Sequence, residues 1–288
     1  MRELSEAADE PRRWIENAAR LGHVATGVVY MLVGGVAFIA SFDRRTPAMD
    51  AQGALASLLV GGAFGDALLL AIAAGLTADF AWQIVRASTN ADLAPSNILG
   101  VANRAGWVIS GGVHFGLAIS AVKLAFAVPQ RTAEHQARAS TAAVMLVPIG
   151  RLALTAAGVV IVLVGLQLVY RAWIGDVDRW LDLRSLPRPM RALILWLGRF
   201  GLAMRAIVFC AGGLVLTAAA LEDRPWATRG LRGTLRLLQS TAFGPGLLTI
   251  IAAGFIAFGI VELVSARYRR IRVPRPHANG ATKRPGST

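Results

Sequence analysis

The sequence predicts an all-α integral membrane protein: six transmembrane helices arranged as three tandem two-helix repeats, with approximate threefold symmetry about an axis along the membrane normal. Three observations predict it. Hydrophobic residues make up 55% of the 288-residue chain and charged residues only 16%, an excess that must face something other than water. That excess falls in six runs, at about 22–41, 64–85, 107–128, 150–171, 201–221 and 243–265. One phrase also recurs three times: Arg20-Leu-Gly22 with Gly27 and Tyr30, Arg104-Ala-Gly106 with Gly111 and His114, and Arg199-Phe-Gly201 with Ala206 and Phe209.

Each run is roughly 20 residues, which at about 1.5 Å per residue crosses a hydrocarbon core of about 30 Å. Helix is the reading that satisfies every backbone amide within its own segment, and no barrel-like alternation is present. Residues 1–19 are polar and acid-rich, and from Pro11 to Arg20 they predict a short amphipathic helix lying on the membrane surface. The apolar run that follows is longer than the core of a cleaved signal peptide, so the first helix is expected to stay as an anchor. The first repeat occupies 20–90, the second 91–180 and the third 181–271; residues 272–288, rich in Pro, Gly and basic residues, are expected to be a disordered tail.

The second helix of each repeat opens at a glycine, Gly65, Gly150 and Gly244, and Ala87, Ala172 and Ala266 stand at one common distance beyond. Two crossings return the chain to its starting side, so all three hairpins share one orientation. The leucine-bearing stretches before the second helices, 53–59 and 233–238, with 141–147 in the middle repeat, predict short helices in the opposite interface.

Of the 30 Lys and Arg, 19 fall on the face that holds the termini, as do six of the seven tryptophans. The positive-inside rule and the aromatic belt then place both termini in the cytoplasm of a bacterial cell, with the protein in the cytoplasmic (inner) membrane. The net charge of +13 is spread over helix ends and interleaved with acids, which fits anionic lipid headgroups as partners and not nucleic acid. The single cysteine, Cys210, excludes an intrachain disulfide.

The Arg-x-Gly opening, the Gly-x-x-Tyr turn of the first helix, the Gly-Ala-Leu loop, the Phe-Gly start of the second helix and the closing Ala266-Arg267-Tyr268-Arg269-Arg270-Ile271 resemble the bacterial membrane family known as domain of unknown function 1206. The resemblance covers Arg20 to Ile271. It implies three two-helix membrane units and no assigned biochemical activity. An arginine common to that pattern just before the first helix's glycine is present here only in the third unit, as Arg205, where the others have Thr26 and Ser110.

Six polar side chains fall inside the predicted spans: Asp79, Gln83, His114, Gln167, Arg205 and Glu262. Counted from the arginines of the terminal face, Asp79, His114, Arg205 and Glu262 lie about 7 to 15 Å deep, in one slab. A charge there costs about 3 kcal/mol or more, so Asp79 requires a partner. Two readings follow: an ion or proton site with Asp79 as carrier and His114 or Arg205 beside it, or a structural arrangement in which Asp79 and Arg205 neutralise each other while Glu262 and Arg205 reach toward the headgroups. His114, without a second ligand at useful spacing, reads as a packing histidine. The small-residue face Gly112, Gly116, Ser120 is expected to pack within the monomer more than against a second copy. No metalloprotease, nucleophile-elbow, redox-dithiol or phosphate-loop pattern is present, and Ser110 near His114 has no orienting third group. The chain therefore reads as a non-enzyme without cofactor or metal: a structural or interaction protein, with a small-solute or ion transporter as the alternative.

Overall fold

A computed structural model describes residues 2–43, 49–89, 98–175, 181–222, 224, 232–233, 235–236 and 243–269. The expected tail at 272–288 lies outside them, as does most of the loop helix expected at 233–238. The elements are α1 (Arg2–Phe42), α2 (Ala51–Ala56) running into a 3-10 turn (Ser57–Gly61), α3 (Gly62–Thr89), α4 (Ile98–Ala125), α5 (Ala133–Met145), α6 (Gly150–Ile174), α7 (Arg188–Leu221) and α8 (Gly244–Tyr268). Six stretches of 23 to 39 residues, one of them running from α2 through α3, are long and apolar enough to cross a bilayer. The chain is thus a multi-pass, all-helical membrane protein.

Two boundaries differ from expectation. The surface helix at 11–20 and the first span are a single helix, because no glycine or proline stands between Arg12 and Leu21 to break it. In the first loop, α2 and the 3-10 turn occupy the predicted stretch, with Asp50 capping α2 by accepting from the Gly53 amide. In the second loop, α5 begins earlier than expected, at Ala133, with Thr132 as its cap.

The six long helices follow one another around a central space in the order α1, α3, α4, α6, α7, α8, and α8 returns to α1. Every neighbouring pair that packs is antiparallel: Gly22 meets Asp79 while Gly75 meets Ala25, and Gly158 meets Thr217 while Gly165 meets Cys210. The first helices of all three hairpins therefore run one way and the second helices the other.

The most extensive packing is between repeats: α6 on α7, α8 on α1, and α3 on α4. These interfaces reuse the same repeat positions. Gly158 and Gly165 of α6 face Ala206 and Gly213 of α7, and Ala252 and Gly259 of α8 face Gly27 and Gly34 of α1. A Cβ on Gly27 would lie 2.9 Å from the Gly259 carbonyl oxygen, and one on Gly213 2.7 Å from that of Gly158. In lipid the hydrophobic effect does not press helices together, so close backbone approach through small residues supplies the van der Waals contact that does.

Within hairpins the packing is unequal. In the first, a Cβ on Gly22 would lie 2.7 Å from Cα of Asp79, and one on Gly75 2.5 Å from Cβ of Ala25. The third repeats both contacts at the equivalent positions, Gly201 on Phe258 and Gly254 on Met204. In the second hairpin Gly106 has no neighbour within 4 Å of where its Cβ would be, and in place of Gly75 and Ala25 stand Val160 and Ile109, 48% and 60% exposed. Two β-branched side chains thus stand where glycine and alanine close the other hairpins, and α4 and α6 lack that close backbone approach. The units are therefore not equivalent, and threefold symmetry does not follow from this packing.

The signature residues acquire reasons. A Cβ on Gly65 would run into the Leu58 carbonyl, and one on Gly150 into that of Val144, so only glycine lets each loop fold tightly onto the start of its second helix. Arg20 donates to the Ala266 carbonyl at the end of α8 over 3.4 Å. Arg199 packs its guanidinium against Gly175, the left-handed cap of α6. Each arginine thus sits at the C-terminus of a neighbouring unit's second helix, where the helix dipole favours a cation.

Candidate functional site

Asp79 is 3% exposed, on the face of α3 turned toward α1 and α4. The Nδ1–H of His114 in α4 donates to its Oδ2 over 2.6 Å, and Gln83, one turn along α3, approaches the same oxygen at 3.4 Å. Arg86 then donates to the Gln83 side-chain oxygen over 2.9 Å and lies over the Trp107 ring of α4, 4.7 Å from its centre. A chain of polar groups thus runs along the α3–α4 interface from mid-depth to the terminal face.

A second carboxylate–imidazole pair lies between α1 and α8: the Nδ1–H of His23 donates to Glu262 Oε2 over 2.7 Å. Sequence reasoning missed His23. It stands where the other units have Trp107 and Leu202, and the signal was in plain view, since it is a histidine inside a predicted span, as His114 is. Its other ring nitrogen, Nε2, is buried with no hydrogen-bond partner. The two pairs are close, because Gly22, beside His23, packs on the backbone of Asp79.

Four expectations are corrected. Arg205 does not neutralise Asp79, nor does it reach for the headgroups: its guanidinium sits among the rings of Phe258, Tyr30 and Phe209, at 4.3, 4.9 and 5.8 Å from their centres. Those rings' negative faces hold the cation where a bilayer core otherwise would not. Glu262 does not snorkel but is held by His23. Gln167 is apart from the Asp79 group, donating to Asn103 of α4 over 2.8 Å and tying the otherwise open second hairpin near its terminal end. The Gly112–Gly116 face, expected to pack within the monomer, has no other part of the protein within 4 Å of where either glycine's Cβ would be.

The repeat explains where the pairs arise. Asp79 and His114 occupy the places that Phe258 and Tyr30 hold in the α8–α1 interface, where the two rings meet edge to face at 4.8 Å. An aromatic contact in one interface is a carboxylate–imidazole hydrogen bond in the next.

Above these groups the bundle encloses a cavity of about 540 Å³, lined by all six long helices together with α2 and α5. Thr26, Tyr30, His114 and Phe209 close its mid-depth end, and its walls are otherwise almost wholly apolar. Among the described residues no group of three or more His, Cys, Asp or Glu is placed to hold a metal ion.

A family model described as Domain of Unknown Function (DUF1206) matches the chain three times, over residues 21–90, 105–175 and 200–269. The chain is also 28% identical to "Uncharacterized protein YxxB" of Bacillus subtilis (strain 168) over 274 residues, 94% of this chain and 97% of that protein. No solved structure matches. Three matched stretches falling on the three helix pairs make this chain a member of the DUF1206 family, a membrane-type helical fold to which no activity is assigned.

Proposed function

We propose that the protein is a non-enzymatic structural or interaction protein of the bacterial cytoplasmic membrane, with both termini in the cytoplasm and anionic lipid headgroups bound along its basic terminal face. The observation that carries the reading is the pairing of the intramembrane polar groups with one another across helix contacts: Asp79 with His114, Glu262 with His23, Gln167 with Asn103. Such pairs fasten helices together and specify which helix faces which. The open Gly112–Gly116 face of α4 and the exposed side of α6 leave room for a helix of another chain, including a second copy. No observation favours transport.

The test is Asp79→Asn in proteoliposomes. An interaction protein passes neither ions nor labelled solute above empty vesicles, and the substitution changes only its stability. Proton or solute flux in the wild type that the substitution abolishes overturns the reading. Orientation is tested separately with Arg275→Cys on a Cys210→Ser background: modification by an impermeant thiol reagent outside whole cells overturns the cytoplasmic placement of the C-terminus.

A further inference from the structure

We propose that the central cavity binds one fatty-acid molecule, admitted sideways from the bilayer through the gap between α4 and α6, with its carboxyl end lodged at Tyr30 and His114. The cavity's volume of about 540 Å³ lies within the range of small-molecule sites. Its long apolar walls suit an alkyl chain. Val113, 64% exposed, stands both on the outer surface of α4 and on the cavity lining, so the space continues to the lipid-facing side where the second hairpin is open. That opening is written in the chain as Val160 and Ile109 in place of the glycine contacts that seal the other two hairpins.

The polar end selects among lipids. Tyr30 and His114 line the cavity, and with His114 Nδ1 engaged by Asp79 the ring's Nε2 and the Tyr30 hydroxyl are the polar groups left at that end. Polar groups beside an apolar space are costly unless hydrogen-bonded, and a ligand oxygen there would satisfy them. His114 lies ten residues along α4 from Arg104, about 15 Å in from the terminal face. A phosphodiester headgroup at that depth would have to shed its water against apolar walls. A carboxylic acid is small enough to arrive there neutral and to exchange hydrogen bonds with Tyr30 and His114. The inference stands apart from the structural reading above and from the assignment of which face is cytoplasmic.

The probe is a palmitic acid bearing a diazirine in its chain, photolysed with the full-length protein in nanodiscs of phosphatidylethanolamine and phosphatidylglycerol. Labelling is expected on cavity-lining residues of α4, α6 and α7, and unlabelled palmitic acid should compete while hexadecane and added phosphatidylglycerol should not. Gly212 lines the cavity with nothing within 4 Å of its Cβ position, so Gly212→Leu fills the space without a clash. Displacing two or more methylene groups should lower labelling by about tenfold or more. Gly35→Leu, also uncrowded but off the lining, should leave it unchanged. Tyr30→Phe, nearly the same shape, should let hexadecane compete as well as palmitic acid does. Labelling confined to the outer surface, or unaffected by Gly212→Leu, overturns the cavity site. Equal competition by phosphatidylglycerol overturns the choice of a fatty acid, and unaltered head-group preference in Tyr30→Phe overturns the placement of the carboxyl end.

Discussion

The signature glycine that opens each unit gives the sharpest test of how the bundle is held together, because the same substitution should have opposite effects in different copies. Gly22→Ala places a methyl 2.7 Å from Cα and Cβ of Asp79 and 2.9 Å from its amide nitrogen, and Gly201→Ala places one 2.8 Å from the amide nitrogen and Cβ of Phe258. These are backbone and first-carbon atoms, which cannot rotate away, so the helices must separate by several tenths of an ångström along the contact. Overpacking of this kind costs about 1 to 3 kcal/mol, offset by the roughly 1 kcal/mol that alanine gains over glycine within a helix. Gly106→Ala meets nothing within 4 Å and keeps the helix gain alone. Net losses of about 1 to 2 kcal/mol are therefore expected for Gly22→Ala and Gly201→Ala, and a gain of up to about 1 kcal/mol for Gly106→Ala. Reversible unfolding in mixed micelles with increasing dodecyl sulfate, followed by tryptophan fluorescence, measures all three. If the three substitutions shift stability in the same direction, the unequal closing of the hairpins is wrong.

Three further outcomes can be read in the same assay. The double substitution Asp79→Phe/His114→Tyr copies the Phe258–Tyr30 contact and should cost less than the sum of its single substitutions, each of which strands a polar partner, with a coupling of at least about 1 kcal/mol; additive costs would refute the equivalence. His23→Leu leaves the Glu262 carboxylate buried without its partner and should cost about 3 kcal/mol, while adding Glu262→Leu, which reproduces the leucines of the α6–α7 interface at positions 168 and 202, should recover most of it. Gly158→Leu drives a side chain into the Gly213 carbonyl and Thr217 amide, 2.9 and 2.8 Å from the Cβ position, and should lower stability by more than about 3 kcal/mol; a neutral result would remove the glycine contacts as the main fastening between units.

Much of the polar site could be found from the chain but not assembled from it. Burial of Asp79, Gln83, His114 and Glu262 in spans followed from their position in apolar runs, since a polar residue there is conspicuous. Partnership did not follow. Asp79 was weighed against both His114 and Arg205, and depth alone could not separate them, because residues at one depth on different helices are neighbours only if their helices are. His23 was passed over although its pairing with Glu262 answers the burial of that carboxylate. Arg205 was expected to need an acid, whereas three aromatic rings from α1, α7 and α8 receive it.

Length and apolarity of the runs determined the helices, and the thrice-repeated Arg-x-Gly phrase determined that they come in pairs of one orientation, because a bilayer leaves an apolar segment of that length almost no other conformation. Which helix lies against which was decided only in three dimensions. In lipid one apolar face is as acceptable as another, so helix neighbours are chosen by how closely two backbones fit. That fit depends on small residues from separate segments coming into register, as Gly27 does with Gly259, and failing to do so at Val160 and Ile109. The central cavity and its side opening are consequences of that register, and no single segment of the chain contains them.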